Sequence, residues 1–471
     1  MLRFWVVFLT LLPFVLFAQD KKESDEIGLS ITVYNQNFGV VKEVREIELK
    51  KGENEVFFRD VATGIDGASL HFKSLTDPDN TIVLEQNFEF DLLNATKLLQ
   101  KYIDYSVRLT TKDGKVYEGI LLGFDDEQII LTKDPQKGPI EIVTKKENVT
   151  AITCAELPKG FVTQPTLMWK VKAEKEGKHK VKVTYLTGNI SWDADYTAVI
   201  SPDEKSLDIG GWVTIRNNSG KRYENATIKL VAGGISRAPT IPEQQEFRKG
   251  ALESGVEAKE FFEYYLYAMP RKTTIEDRST KQLELLNAWG VKVTKSYRYY
   301  GALLPRWLNP WEPSYGTQCN KKVDVYLSFV NSKDNNLGMP LPAGRVRVYK
   351  KDPNDGSLEM IGEDKIEHTP KDEKLNLKMG TAFDIIGERK QTNFRRISEN
   401  VFEESFEIKL RNHKKEKVEV EVWETLYRST NWEIRNSSLK FEKEDASTIK
   451  FKVEVEPDKE VVLTYTVLYT R

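Results

Sequence analysis

The stretch from Lys180 to Ala232 leaves few folds open, because its apolar side chains recur at every second residue in one run after another. Val181, Val183 and Tyr185 alternate with Lys180, Lys182 and Thr184, the period of a strand with one buried face. Thr187-Gly188-Asn189 breaks that run. Ala194, Tyr196, Ala198 and Ile200 share the next face, until Ser201-Pro202-Asp203 turns the chain. Leu207, Ile209, Val213 and Ile215 share a third face, with Trp212 pointing the opposite way. Asn217-Asn218-Ser219-Gly220 is turn chemistry, since Asn and Gly tolerate positive φ. Ile228 and Leu230 open a further strand. Turns at such short intervals predict a β-sandwich over residues 157–235.

The same period runs through most of the chain. Residues 27–92 read as an N-terminal β-rich unit, with Ile31 to Tyr34 as a strand and a hairpin from Val44–Leu49 to Asn54–Phe58 about Lys51-Gly52. A short helix is predicted over 93–104, capped by Asn94, with Leu98, Leu99, Tyr102 and Ile103 on one face. Residues 105–153 carry five short runs with glycines at sharp bends, which predicts a small SH3-like or Sm-like barrel. Residues 236–260 have few apolar anchors and read as a linker or long loop. A second β-rich region follows over 261–400 and a last sandwich over 401–471, where Val418, Val420 and Val422 share one face and Ile449, Phe451, Val453 and Val455 another. A weak repeat links these parts. Val213-Thr214-Ile215-Arg216-Asn217, Leu327-Ser328-Phe329-Val330-Asn331 and Ile408-Lys409-Leu410-Arg411-Asn412 each end an alternating run at Asn. The expected class is mainly β: tandem immunoglobulin-like sandwiches with the small barrel inserted near the N-terminus.

A length of 471 residues exceeds one core. The formal net charge is only −2 although 30% of residues are charged, so no bulk positive field is present to draw in nucleic acid or an anionic membrane. Arg3 followed by the uncharged apolar run Phe4 to Phe17 and the small Ala18 predicts a signal peptide over residues 1–18, and hence an exported, periplasmic or extracellular protein. In that compartment the two cysteines, Cys154 and Cys319, are a candidate disulfide.

Chemistry is thinly marked. His71, His179, His368 and His413 are far apart, and no metal-binding pair, nucleophile elbow or phosphate loop is present, so neither cofactor nor metal is expected. Asp193 and Asp195 beside Trp192 could hold calcium or a sugar, or be solvated. Arg306 to Tyr315 is the most unusual loop, with Trp307, Trp311 and Tyr315 among prolines. Restricted by those prolines, the rings either present a partner-binding surface or plug a gap between sheets. The run Gly119-Ile120-Leu121-Leu122-Gly123-Phe124-Asp125 is similar to the first Sm motif, but export and the lack of a flanking basic run favour a structural barrel over RNA binding.

Four stretches carry a family resemblance: Tyr185-Leu186-Thr187-Gly188, Ile190 through Tyr196, Gly211-Trp212-Val213, and Asn217-Asn218-Ser219-Gly220 through Ala226. With Leu157-Pro158-Lys159-Gly160 upstream and Pro270-Arg271 downstream, the chain resembles the bacterial domain of unknown function 4139 family, which includes mucoidy-inhibitor-like proteins. The long coiled-coil insertion of that branch is missing. The resemblance implies an envelope or secreted β-rich protein and transfers no catalytic residues. The reading is a non-enzymatic exported protein that acts on an envelope protein or glycan; a carbohydrate- or peptide-binding module and a carboxylate-dependent hydrolase are its alternatives.

Overall fold

The computed structural model describes residues 27–89, 95–145, 148–155, 164–234, 257–261, 264–304 and 312–471. The protein is mainly β. Helix among the described residues is confined to Ala95–Lys101 and the short turn Lys333–Asn335. No described helix is long and apolar enough to cross a membrane.

The alternating runs form strands on the faces their parity predicts. Val181, Val183 and Tyr185 of strand Gly177–Gly188 are fully buried, as are Tyr196 and Ala198 of Ile190–Ile200 and Val213 and Ile215 of Ser206–Asn217. Pairing is less local than the sequence suggests. Among the runs between Lys180 and Ala232, only Ile190–Ile200 and Ser206–Asn217 form a hairpin with each other, with Ala194 opposite Val213. Those two belong to a five-stranded sheet in the order Ser279–Lys292, Ser206–Asn217, Ile190–Ile200, Gly344–Lys351, Leu358–Ile366. Gly177–Gly188 and Tyr223–Ala232 belong instead to an eight-stranded sheet, together with Gly28–Tyr34, Phe38–Leu49 and Ile65–Ser74. Gly28–Tyr34 runs parallel to Tyr223–Ala232, with Ser30 opposite Thr227. Both sheets feed one continuous core that includes Ile31, Tyr185, Trp192, Tyr196, Val213 and Ile228.

Three boundaries read from the sequence therefore do not separate sheets. The 27–92 and 157–235 segments share the eight-stranded sheet and also a three-stranded one, in which Thr166–Ala173 lies between Gly52–Arg59 and Thr81–Glu89. The 261–400 segment is divided: Thr294–Tyr300, Lys322–Val330 and the 25-residue strand Lys374–Ser398 join the nine-stranded C-terminal sheet. The expected hairpin about Lys51-Gly52 is a corner between sheets. Phe38–Leu49 pairs with Gly177–Gly188, and Gly52–Arg59 pairs with Thr166–Ala173. The Asn54 side chain holds the corner by accepting from Lys50 N–H (2.8 Å) and donating to Lys50 O (2.8 Å). Alternation fixes which face a strand buries, not which strand lies beside it.

The five strands expected between residues 105 and 153 are present and form their own sheet, with the last strand, Val149–Cys154, returning to pair with the first, Ser106–Thr111. Leu99 and Tyr102 of the preceding helix region pack on its core of Val107, Leu109, Leu121, Ile129 and Leu131. Ile103, expected on that face, is exposed and bridges Leu121 by its backbone. The capping residue Asn94 lies outside the described residues.

The weak repeat has a physical basis. Asn217, Asn331 and Asn412 are each fully buried and each fastens a chain reversal through its amide. Asn217 Oδ1 accepts from Ser219 N–H (3.1 Å), while its Nδ2 donates to Lys221 O (2.8 Å) and Glu276 O (2.9 Å). Asn412 repeats the pattern at the same offsets: Lys414 N–H at 2.9 Å, Glu416 O at 2.8 Å, and Val455 O at 3.1 Å. Asn331 spans a longer loop, accepting from Gly338 N–H (3.0 Å) and donating to Met339 O (2.8 Å) and Pro370 O (2.9 Å). Asn412→Ala strands buried carbonyls, and each unsatisfied group costs about 1–3 kcal/mol. Urea denaturation is expected to show a loss of roughly 2–4 kcal/mol. Asn412→Asp, which keeps the acceptor and loses the donors, is expected to lose a comparable amount.

Candidate functional site

The aromatic loop that the sequence singles out leads to the most unusual buried chemistry. Trp307 and Trp311 lie outside the described residues. Tyr315 is described and only 7% exposed, with its ring edge-on to Tyr427 at 5.2 Å. It is a packed side chain, so the surface-presenting reading does not hold for it.

Beneath Tyr315 two Arg–Glu pairs are closed off from solvent. Arg389 stands on the inward face of Lys374–Ser398 and donates through Nε to Glu424 Oε2 at 2.8 Å. Arg428 donates through Nη2 to Glu404 Oε1 at 2.6 Å. All four side chains are at most 1% exposed. Neutral donors complete the cluster. Gln391 Nε2 reaches Glu404 Oε1 at 2.6 Å, Tyr427 OH reaches the same oxygen at 3.4 Å, and Tyr465 OH donates to Glu424 Oε2. The guanidinium planes lie on aromatic rings, Arg389 over Phe406 at 3.9 Å and Arg428 over Phe394 at 4.8 Å. The arginines also grip the backbone of segment 312–317. Arg389 Nη1 donates to Gly316 O (2.7 Å), and Arg428 Nη1 to Glu312 O (3.1 Å).

Burial sets the protonation of this cluster. It pushes the phenols of Tyr465 and Tyr469 well up, and the carboxylates of Glu424 and Glu404 beside them push in the same direction. Burial opposes the charge on Arg389, but the Glu424 carboxylate and the Tyr465 and Tyr427 phenols together outweigh it and the guanidinium stays charged. Each carboxylate faces a cation and no substrate can approach it, so the arrangement suits fastening a loop to a sheet better than moving protons. Glu404 Oε2, Glu424 Oε1 and Arg389 Nη2 have no hydrogen-bond partner, so the pairs are not fully satisfied.

The signature turn forms a second fastening. Ser219 O accepts from Thr63 N–H (2.8 Å) and Gly64 N–H (3.3 Å), and Thr63 Oγ1 adds a third bond at 2.9 Å. Ser219 Oγ lies 2.8 Å from both Asn217 Oδ1 and Tyr223 OH. Gly220, at φ 79°, donates its N–H to Asp277 Oδ1 at 2.9 Å. Lys221 is buried, with Nζ 2.8 Å from Asp60 Oδ2 and 3.7 Å from Glu43 Oε2. The signature residues thus tie strand Ser206–Asn217 to the chain between Arg59 and Ile65.

The remaining candidates are dispersed. Asp193 pairs with Arg216, and Asp195 lies 3.5 Å from Arg345. Trp192 faces the opposite side and donates its indole N–H to Val231 O at 3.2 Å. His179 is buried between Ser74 Oγ (3.1 Å) and Lys175 O (3.0 Å). Among the described residues no His, Cys, Asp or Glu cluster could hold a metal ion. Cys154 and Cys319 are free, half-buried thiols, so the candidate disulfide is not formed; Cys154 ends a strand of the small five-stranded sheet, and Cys319 bridges Ala302 elsewhere in the chain.

Sequence reasoning passed over Arg389, Glu404, Glu424 and Arg428, although a signal existed. Glu404 falls at an inward position between Phe402 and Phe406, and Glu424 continues the inward series Val418, Val420, Val422. A family model described as "Domain of unknown function (DUF4139)" matches residues 181–470. No curated protein matches the chain.

Proposed function

This chain belongs to the domain of unknown function 4139 family, and from that premise we propose that it is an exported, non-enzymatic β protein that works by binding a partner in the cell envelope. One contrast carries the reading. The buried side chains of Arg389, Glu404, Glu424 and Arg428 pair with one another, whereas large aromatic side chains are held out on sheet surfaces: Phe383 is 95% exposed, Trp289 66% and Trp212 44%. Exposed rings on rigid strands are placed for contact rather than for folding. Export rests on the basic, apolar and small-residue succession of residues 1–18.

Two measurements test the proposal. Intact-mass analysis of protein from the native envelope is expected to give a chain beginning at Gln19; a chain that still begins at Met1 refutes signal cleavage. Affinity capture from envelope extract is expected to retain a saturable component that competes with soluble protein. Turnover of a substrate that is lost on a single carboxylate substitution would replace binding with hydrolysis.

A further inference from the structure

We propose a binding site for a neutral, hydroxyl-rich glycan on the outer face of the five-stranded sheet, centred on Trp212. The proposal rests on the binding reading above and supplies its ligand class and place. Trp212 lies on the solvent side of Ser206–Asn217, the second strand of the sheet, with Glu284 paired across one edge and Asp195 across the other. Its indole is therefore framed by carboxylates in the plane of the sheet. Next along the same face is Gly210, paired with Asn287 on one side and Thr197 on the other. The only heavy atom near the Cβ position of Gly210 is Asn287 Oδ1, at 3.3 Å. The missing side chain leaves a shallow depression beside the ring, floored by backbone and walled by an amide. Asn287 is held in place by donating its Nδ2 to Glu284 Oε1 at 2.6 Å.

This combination matches a sugar ring. The apolar face of a pyranose stacks on an exposed indole, and its ring-plane hydroxyls meet planar amide and carboxylate groups beside it. Charge selects the kind of glycan. Glu284, Asp195 and Glu363 balance Arg345, Arg347 and Lys365 across the face, and Arg347 pairs with Glu363 at 2.8 Å. With no net field, the face offers nothing to a polyanion. The face also departs from a protein interface, whose buried centre is depleted of charged residues.

The test is affinity electrophoresis of the full mature chain through gels containing an α-linked glucan, a β-linked glucan or a polyuronate. Retardation by at least one neutral glucan is expected, with Trp212→Ala weakening it roughly tenfold or more. Gly210→Val, which fills the depression and keeps the indole, is expected to weaken it as well. Both variants should melt with the wild type, because neither position contributes to the core. Retardation by neither glucan, retardation that survives Trp212→Ala, or retardation by polyuronate alone overturns the proposal. If neither glucan retards the chain while envelope capture persists in Trp212→Ala, the glycan site falls and the binding function stands. If capture fails as well, both fall.

Discussion

Glu424→Leu is expected to cost about 3–5 kcal/mol of stability, because it leaves Arg389 charged and uncompensated in a site that excludes water. Tyr465 OH loses its acceptor at the same time. The melting temperature should fall by on the order of 10 °C. The informative comparison is the double variant Arg389→Met, Glu424→Leu. Apolar replacement of a buried pair is often neutral or stabilising by about 1–4 kcal/mol, and Glu424 Oε1 and Arg389 Nη2 are unsatisfied already. The double variant is therefore expected to recover most of the loss, less whatever the bond from Arg389 to Gly316 O contributes. A double variant no more stable than Glu424→Leu would show that the pair itself is favourable. A single variant that melts with the wild type would mean that the cluster is open to solvent.

Gly220→Ala is expected to weaken the signature turn through its backbone. A Cβ at φ 79° costs about 1–2 kcal/mol in itself, and here it would also lie 2.7 Å from Thr63 Cγ2. Relief requires Thr63 to move, which weakens the bonds that Thr63 and Gly64 make to Ser219 O. A total of about 2–4 kcal/mol is expected. Faster hydrogen exchange should be confined at first to the amides of Thr63 and Gly64. Asn218→Ala, at an exposed position of the same turn, should change stability by no more than about 0.5 kcal/mol. If Gly220→Ala exchanges and melts like the wild type, the turn does not fasten the two segments.

These residues show where the sequence was legible. The parity of Val181, Val183 and Tyr185 gave a strand and its buried face, and Trp212 points outward as its odd position in the run requires. The shared Asn ending gave three reversals with one fastening. Pairing was not legible, because alternation in Gly28–Tyr34 is equally compatible with any neighbour; its partner Tyr223–Ala232 is chosen by the shape of a core built from distant strands. The charged cluster was missed for another reason. Glu and Arg within an alternating run read as a solvated face unless each is checked against the parity of its apolar neighbours. Glu404 between Phe402 and Phe406 fails that check.

The parallel pairing of Gly28–Tyr34 with Tyr223–Ala232 constrains how a newly made molecule reaches its final shape. The two strands are roughly 200 residues apart, and closing so long a loop comes before any contact rewards it. During synthesis, Gly28–Tyr34 can pair at once with Phe38–Leu49 on one side, but its other edge cannot find its lasting neighbour until about half of the polypeptide has appeared. Until then it exposes an unsatisfied edge that can pair with other chains. A molecule assembled in this order gains from being kept extended until its length is complete.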